Sequence, residues 1–134
     1  MLSESRVKPP VLLVDDDSMI RGVLRIIPRD EGYRIVGEAA NGEEAIAQCL
    51  RLQPTLVLLD IQMPKMSGLE ALAGLREASP QTKILMVNAA STGNSVQEAM
   101  QNGASGFVVK PITAANVLSR VAHCLKSDGS PSMP

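Results

Sequence analysis

The sequence predicts one doubly wound α/β domain built on a five-stranded parallel sheet, and three observations predict it. Short continuous aliphatic runs recur along the chain, stretches with helical spacing of apolar residues separate them, and the alternation βαβαβαβαβα takes up most of the 134 residues. Continuous apolar runs, rather than alternating ones, mark strands covered on both faces. Strict strand–helix alternation then demands right-handed crossovers that put helices on both faces of a parallel sheet. Composition agrees. Hydrophobic residues make up 45% and charged residues 20% of a chain the size of a single domain, so a packed core is within reach.

Four runs read as buried strands: 11–14, 56–59, 84–87 and 107–109. A weaker fifth, 33–38, with Tyr33, Ile35 and Gly37 alternating against their neighbours, reads as an edge strand. Ser18 is placed to cap the first helix, whose apolar positions are Met19, Ile20, Val23, Leu24 and Ile27, and Pro28 should kink or stop its last turn. Asn41 precedes the second helix, with Glu44 at its third position and Ala45, Ile46, Cys49 and Leu50 on one face. Ser67-Gly68 opens the third, carrying Leu69, Leu72, Ala73 and Leu75. The fourth holds Val96, Ala99 and Met100 but follows poor helix formers, Ser91 to Ser95. Thr113 caps the fifth, with Val117, Leu118, Val121 and Leu125 in register. This divides the chain into an N-terminal extension 1–10, a domain 11–126 and a small, polar, disordered tail 127–134.

Several function classes drop out. With one Phe, one Tyr and no Trp there are no stacking platforms for single-stranded nucleic acid, and a net charge of −1 offers no basic excess for a phosphate backbone. The core must come from Val, Leu, Ile, Ala and the seven Met, mostly as gap fillers. No apolar run approaches the ~18 residues of a membrane span, and Pro9-Pro10 interrupts the one candidate leader. Cys49 and Cys124 lack metal-ligand spacing and read as free thiols in a reducing cytoplasm.

Ligands of such sheets bind beyond the carboxyl ends of the strands, near the switch point in strand order. There stand Asp15-Asp16-Asp17 after the first strand, Asp60 after the third, Asn88 after the fourth and Lys110 after the fifth. With the strand order 2-1-3-4-5, the first and third strands are neighbours and Asp15, Asp16 and Asp60 converge. Carboxylates about 4 Å apart repel by roughly 4 kcal/mol at an effective dielectric of 20, so the cluster needs a cation. An oxygen-only donor set without His or Cys suits Mg²⁺ before Zn²⁺. Lys110, about 10 Å across two strand spacings, adds a fixed positive charge for a phosphoryl oxygen. Neither GxGxxG nor GxxxxGK[ST] follows the first strand, which argues against a bound nucleotide.

The strings Val14-Asp15-Asp16-Asp17-Ser18, Leu59-Asp60-Ile61-Gln62-Met63-Pro64-Lys65-Met66-Ser67-Gly68 and Gly103-Ala104-Ser105-Gly106-Phe107-Val108-Val109-Lys110-Pro111 resemble the receiver domain of two-component response regulators, which is flavodoxin-like in fold. The likeness runs from about Val11 to Lys126 and is nearest to the single-domain, chemotaxis (CheY-like) type. It implies that Asp60 accepts a phosphoryl group from a histidine kinase or phosphotransfer protein, and that Asp16, Asp60 and the backbone carbonyl of Gln62 hold Mg²⁺, with Asp15 acting through water. It implies further that Lys110 pairs with the phosphoryl group, that Phe107 holds the place of the family's rotating aromatic, and that Asp17 is solvated or capping. The resemblance implies an output by contact with a downstream target protein, from a cytoplasmic monomer or weak dimer, without direct nucleic-acid contact or membrane insertion. Asn88 departs from the pattern, since receivers usually carry Ser or Thr there. That departure raises an alternative, a degenerate receiver that binds partners independently of phosphorylation. Asp15-x-Asp17 also resembles the D-x-D of haloacid-dehalogenase-type phosphatases, at the cost of the match around Asp60.

Overall fold

The computed structural model describes residues 9–30, 32–61, 63, 66–88, 93–109 and 112–126, apart from the side chains of 27–30, 88, 93–96 and 126. The proposed tail, most of the N-terminal extension, Gln62, Lys110, Pro111 and the Asn88 side chain therefore lie outside the described residues.

The chain runs β1 (Pro10–Val14), α1 (Ser18–Asp30), β2 (Arg34–Ala39), α2 (Gly42–Leu52), β3 (Leu56–Asp60), α3 (Gly68–Ala78), β4 (Lys83–Asn88), α4 (Gly93–Gln101), β5 (Gly106–Val109) and α5 (Ala114–Lys126). All four strand pairings are parallel, in the order β2-β1-β3-β4-β5. β1 takes in Pro10, the first position of a strand, where the missing N–H removes no interior ladder bond.

The alternation of side chains along the central strands sorts the core into two layers. Leu12, Val14, Val57, Leu59, Ile84 and Met86 face α2, α3 and α4, meeting Ala45, Cys49, Ala71, Leu72, Leu75 and Ala99. Val11, Leu13, Leu56, Leu58, Leu85 and Val87 face α1 and α5, meeting Leu24, Val117, Val121 and Cys124. Strands buried on both faces explain why the runs show no polar alternation. Each fully buried Leu here contributes on the order of 2 kcal/mol. The same burial pushes the Cys49 and Cys124 thiols up from their usual pKa.

Four local expectations change. Ser18 is the first residue of α1 rather than its cap; Asp17 does that work, its carboxylate accepting from the Met19 amide at 2.9 Å and its carbonyl from Arg21 at 3.0 Å. α1 continues past Pro28 to Asp30, because a proline in the last turn deletes only one hydrogen bond. Met19, Val23, Leu50 and Met100, assigned to buried faces or core filling, are 79%, 44%, 63% and 42% exposed. Each helix meets one face of one sheet, so only a narrow stripe is covered: Ile20 and Leu24 on α1, Ala45 and Cys49 on α2. Finally, β5 is an edge strand with Phe107 half-buried and Val109 exposed, so its apolar run is not covered on both faces.

The other caps match the reading. Asn41 accepts from the Glu44 amide at 2.9 Å, and the Glu44 carboxylate reaches back to the Ala40 amide at 2.9 Å. Thr113 Oγ1 accepts from the Asn116 amide at 3.1 Å.

Candidate functional site: an acidic cluster at the carboxyl edge of the sheet

The register sets the site. Val14 pairs with Leu59, so the residues that follow emerge side by side where the two central strands end. Carboxylate oxygens of Asp15, Asp16 and Asp60 lie within 4.8 Å of one another. Asp15 is fully buried and Asp60 is 3% exposed, whereas Asp16 faces solvent. At that spacing each pair of anions repels by about 3.5 kcal/mol or more at an effective dielectric of 20. The cluster is therefore a place for positive charge, and its all-oxygen donors fit a hard divalent cation such as Mg²⁺.

The β1–α1 turn is held from several sides. The Asp15 amide donates to the Ala39 carbonyl of β2 at 3.0 Å, and the Asp17 amide donates to Asp15 Oδ1 at 2.9 Å. From α1, Arg21 Nη1 donates to the Asp15 carbonyl at 2.5 Å. Arg21 Nε also donates to Glu38 Oε1 at 3.1 Å, and Arg25 Nε donates to Glu38 Oε2 at 2.5 Å. The hydrogen bonds from Arg25 first, and then from Arg21, hold the Glu38 carboxyl below its usual pKa against the opposing effect of partial burial. None of these three residues stood out in the sequence, because no local motif signals a pair separated by 13 or 17 positions.

On the other side of the cluster, the chain folds back over Asp60. Gly68 opens α3 and donates its amide to the Ile61 carbonyl at 2.7 Å. A Cβ on Gly68 would stand 2.2 Å from the Asp60 carbonyl oxygen and 2.7 Å from Ile61 Cα. Only glycine permits this approach. Ser67 and Glu70 close a capping box beside it, with bonds of 3.1 Å and 2.9 Å, which fixes where the helix begins. The glycine eight residues after Asp60 thus has a packing reason.

Asp60 pairs with Val87, and the next residue, Asn88, ends β4 opposite Val109. The backbone of Asn88 is thus one strand over from Asp60. The Lys110 and Gln62 assignments rest on residues outside those described. Phe107 pairs with Met86 and packs against the layer under α2–α4, while the Arg120 guanidinium of α5 lies 5.6 Å from the centre of its ring, a cation–π contact that spacing did not reveal.

Comparison with known proteins agrees with this geometry. Residues 11–122 match the family described as the response regulator receiver domain. The chemotaxis protein CheY of Listeria monocytogenes is 38% identical over 116 residues, covering 87% of this chain and 98% of that protein. Among solved structures, the complex of CheX with CheY, beryllofluoride and magnesium from Borrelia burgdorferi superposes with a TM-score of 0.86 at 33% identity, over 91% of this chain and 92% of that one. The chemotaxis protein CheY4 of Vibrio cholerae gives 0.81 at 30%, over 87% and 98%. With the sheet order, the acidic cluster and these likenesses in agreement, the chain belongs to the response regulator receiver domain family, in its CheY-like form.

Proposed function

We propose that this receiver accepts a phosphoryl group on Asp60 from the phosphohistidine of a kinase or phosphotransfer protein and signals by contact with a target protein. The observation that carries the reading is the convergence of Asp15, Asp16 and Asp60, two of them buried, at the carboxyl edge of the sheet. An Asp60 carboxylate oxygen attacks phosphorus, the P–N bond to the donor imidazole breaks, and the imidazole leaves with its electron pair and takes up a proton. The product is an aspartyl phosphate. Asp16, Asp60 and the Gln62 carbonyl, with Asp15 acting through water, would hold Mg²⁺, which would supply the positive charge that a phosphoryl group needs there. Burial of Asp15 and Asp60 limits competing water, the Gly68 backbone fixes the loop beyond the acceptor, and Lys110 meets a phosphoryl oxygen. Phosphorylation and later hydrolysis of that acyl phosphate at Asp60 are the whole of the protein's chemistry, with no other substrate turned over.

A protein donor suits the surroundings. Met19, Val23 and Ile26 form an exposed apolar stripe on α1, which starts next to Asp16 and Asp17. We place this exchange in the cytoplasm. None of the described helices is long and apolar enough to cross a membrane. Asn88 offers an amide where a hydroxyl is usual, so phosphorylation shifts the β4–α4 segment and Phe107 by less than a Thr would achieve.

Incubation with acetyl phosphate or phosphoramidate and Mg²⁺ tests this. Intact-mass analysis should detect one acid-labile phosphoryl group on wild type and none on folded Asp60→Asn. Full incorporation in that variant moves the acceptor elsewhere. No incorporation in wild type, joined to unchanged partner binding, favours the degenerate reading.

A further inference from the structure

We propose that Arg21 is a positioning residue for the acidic cluster, acting as a strut between edge strand β2 and the turn that carries Asp15 and Asp16. This rests on the reading of the cluster as a divalent-cation site. The guanidinium spans two acceptors that belong to different elements: the backbone carbonyl of Asp15 at 2.5 Å and Glu38 Oε1 at 3.1 Å. Glu38 is held in its turn by Arg25, one helical turn further along α1, through contacts of 2.5 and 3.2 Å to its two oxygens. The Arg21 and Glu38 side chains are only 19% and 26% exposed, so the bridge is partly shielded from water and salt. A planar fork can hold two acceptors in one geometry; a lysine ammonium lacks that fixed spacing.

The proposal has a sign that separates it from a simple charge effect. Arg21 is a cation close to a cation site, so its long-range field opposes Mg²⁺, and removing it on electrostatic grounds alone tightens binding. A strut acts the other way. Without it, the Asp15 carbonyl loses a charge-assisted bond, the turn samples more conformations, and the carboxylates must be ordered by the metal itself. Groups that orient metal ligands change affinity by roughly tenfold or more when removed, and water-mediated ligation at Asp15 puts this case at the lower end.

Titration of the full chain with magnesium chloride, followed by amide chemical shifts at the ends of β1 and β3, tests the strut. Arg21→Ala should weaken Mg²⁺ about five- to tenfold, Arg21→Lys should recover only part of that loss despite its retained charge, and Glu38→Gln should weaken binding about twofold. Added potassium chloride should leave these ratios unchanged. Ser79→Ala, which loosens the fold at the far end of the sheet, serves as the stability-matched control and should bind Mg²⁺ as wild type does. Tighter or unchanged binding in Arg21→Ala overturns the proposal, as does full recovery in Arg21→Lys or an equal loss in Ser79→Ala. If Arg21→Ala fails to fold, Arg21→Lys decides alone: weaker Mg²⁺ binding than wild type at retained charge supports the strut, and wild-type binding overturns it. Failure of the underlying site reading looks different: wild type shows no shifts at these strand ends, or Asp16→Asn binds as well as wild type.

Discussion

The two ends of the sheet both bury polar side chains, and they dispose of them in opposite ways. At the amino edge, Ser79 and Thr82 are each 2% exposed. Thr82 Oγ1 donates to the Pro54 carbonyl at 2.6 Å and lies 2.5 Å from Ser79 Oγ, which reaches Gln53 Oε1 at 3.0 Å. Gln53, in the left-handed region at φ 47°, sends its side-chain amide to the carbonyls of Cys49, Leu50 and Ala78 at 3.2, 3.0 and 2.9 Å. Neutral donors and acceptors close on one another and tie the end of α2 to the end of α3. At the carboxyl edge, three carboxylates crowd together with like charge. Burial of a polar group is therefore not itself a mark of function. A balanced neutral network is a structural tie, whereas clustered like charges call for a cation beside them.

The hardest blow to this contrast is a single methyl at the carboxyl edge. Gly68→Ala puts a Cβ into the Asp60 backbone, and the resulting strain should cost about 3 kcal/mol in urea unfolding while also lowering phosphoryl incorporation. The loss of both stability and chemistry from one residue shows that the acceptor loop and α3 form one packed unit. Retention of full stability would show that the loop yields easily.

Paired substitutions then separate the two ends. Thr82→Val leaves buried partners without their hydroxyl and should destabilise by about 1–3 kcal/mol, with Mg²⁺ binding unchanged. Asp16→Asn relieves repulsion in the cluster and should stabilise the metal-free protein by about 1 kcal/mol while impairing Mg²⁺ binding. Opposite signs of stability change confirm the distinction, and matching signs erase it.

The smallest effect is acidic. Glu38 ionises below its unfolded value near 4.5 because Arg25 and Arg21 bond its anion. The stabilisation it adds is complete above that value and is lost as pH falls through the lower folded-state pKa. Glu38→Gln should therefore lack this increment at neutral pH and flatten the part of the decline below about pH 4.5 that wild type owes to Glu38, as read by thermal unfolding across pH.

What could be read from the chain alone was what depends on neighbours in sequence. Continuous runs such as 56–59, the Asn41 and Thr113 caps and the fold class are recorded in a few adjacent residues, because backbone geometry and hydrophobic period are local properties. The aspartates were legible for a related reason: in a parallel sheet every strand's carboxyl end lies on the same side, so Asp15, Asp16 and Asp60 share an edge once strand order is known. Tertiary structure alone decided which apolar stripe of α1 is covered, leaving Met19, Val23 and Ile26 outside. It alone brought Arg21 and Arg25 to Glu38, Arg120 to Phe107, and Gln53 to Ala78 and Ser79. Such contacts join residues far apart in the chain, and many long side chains with similar local patterns could have made them. Which pair meets is set by strand register and by how each helix is rotated on the sheet, and those are fixed only when the two buried layers pack together.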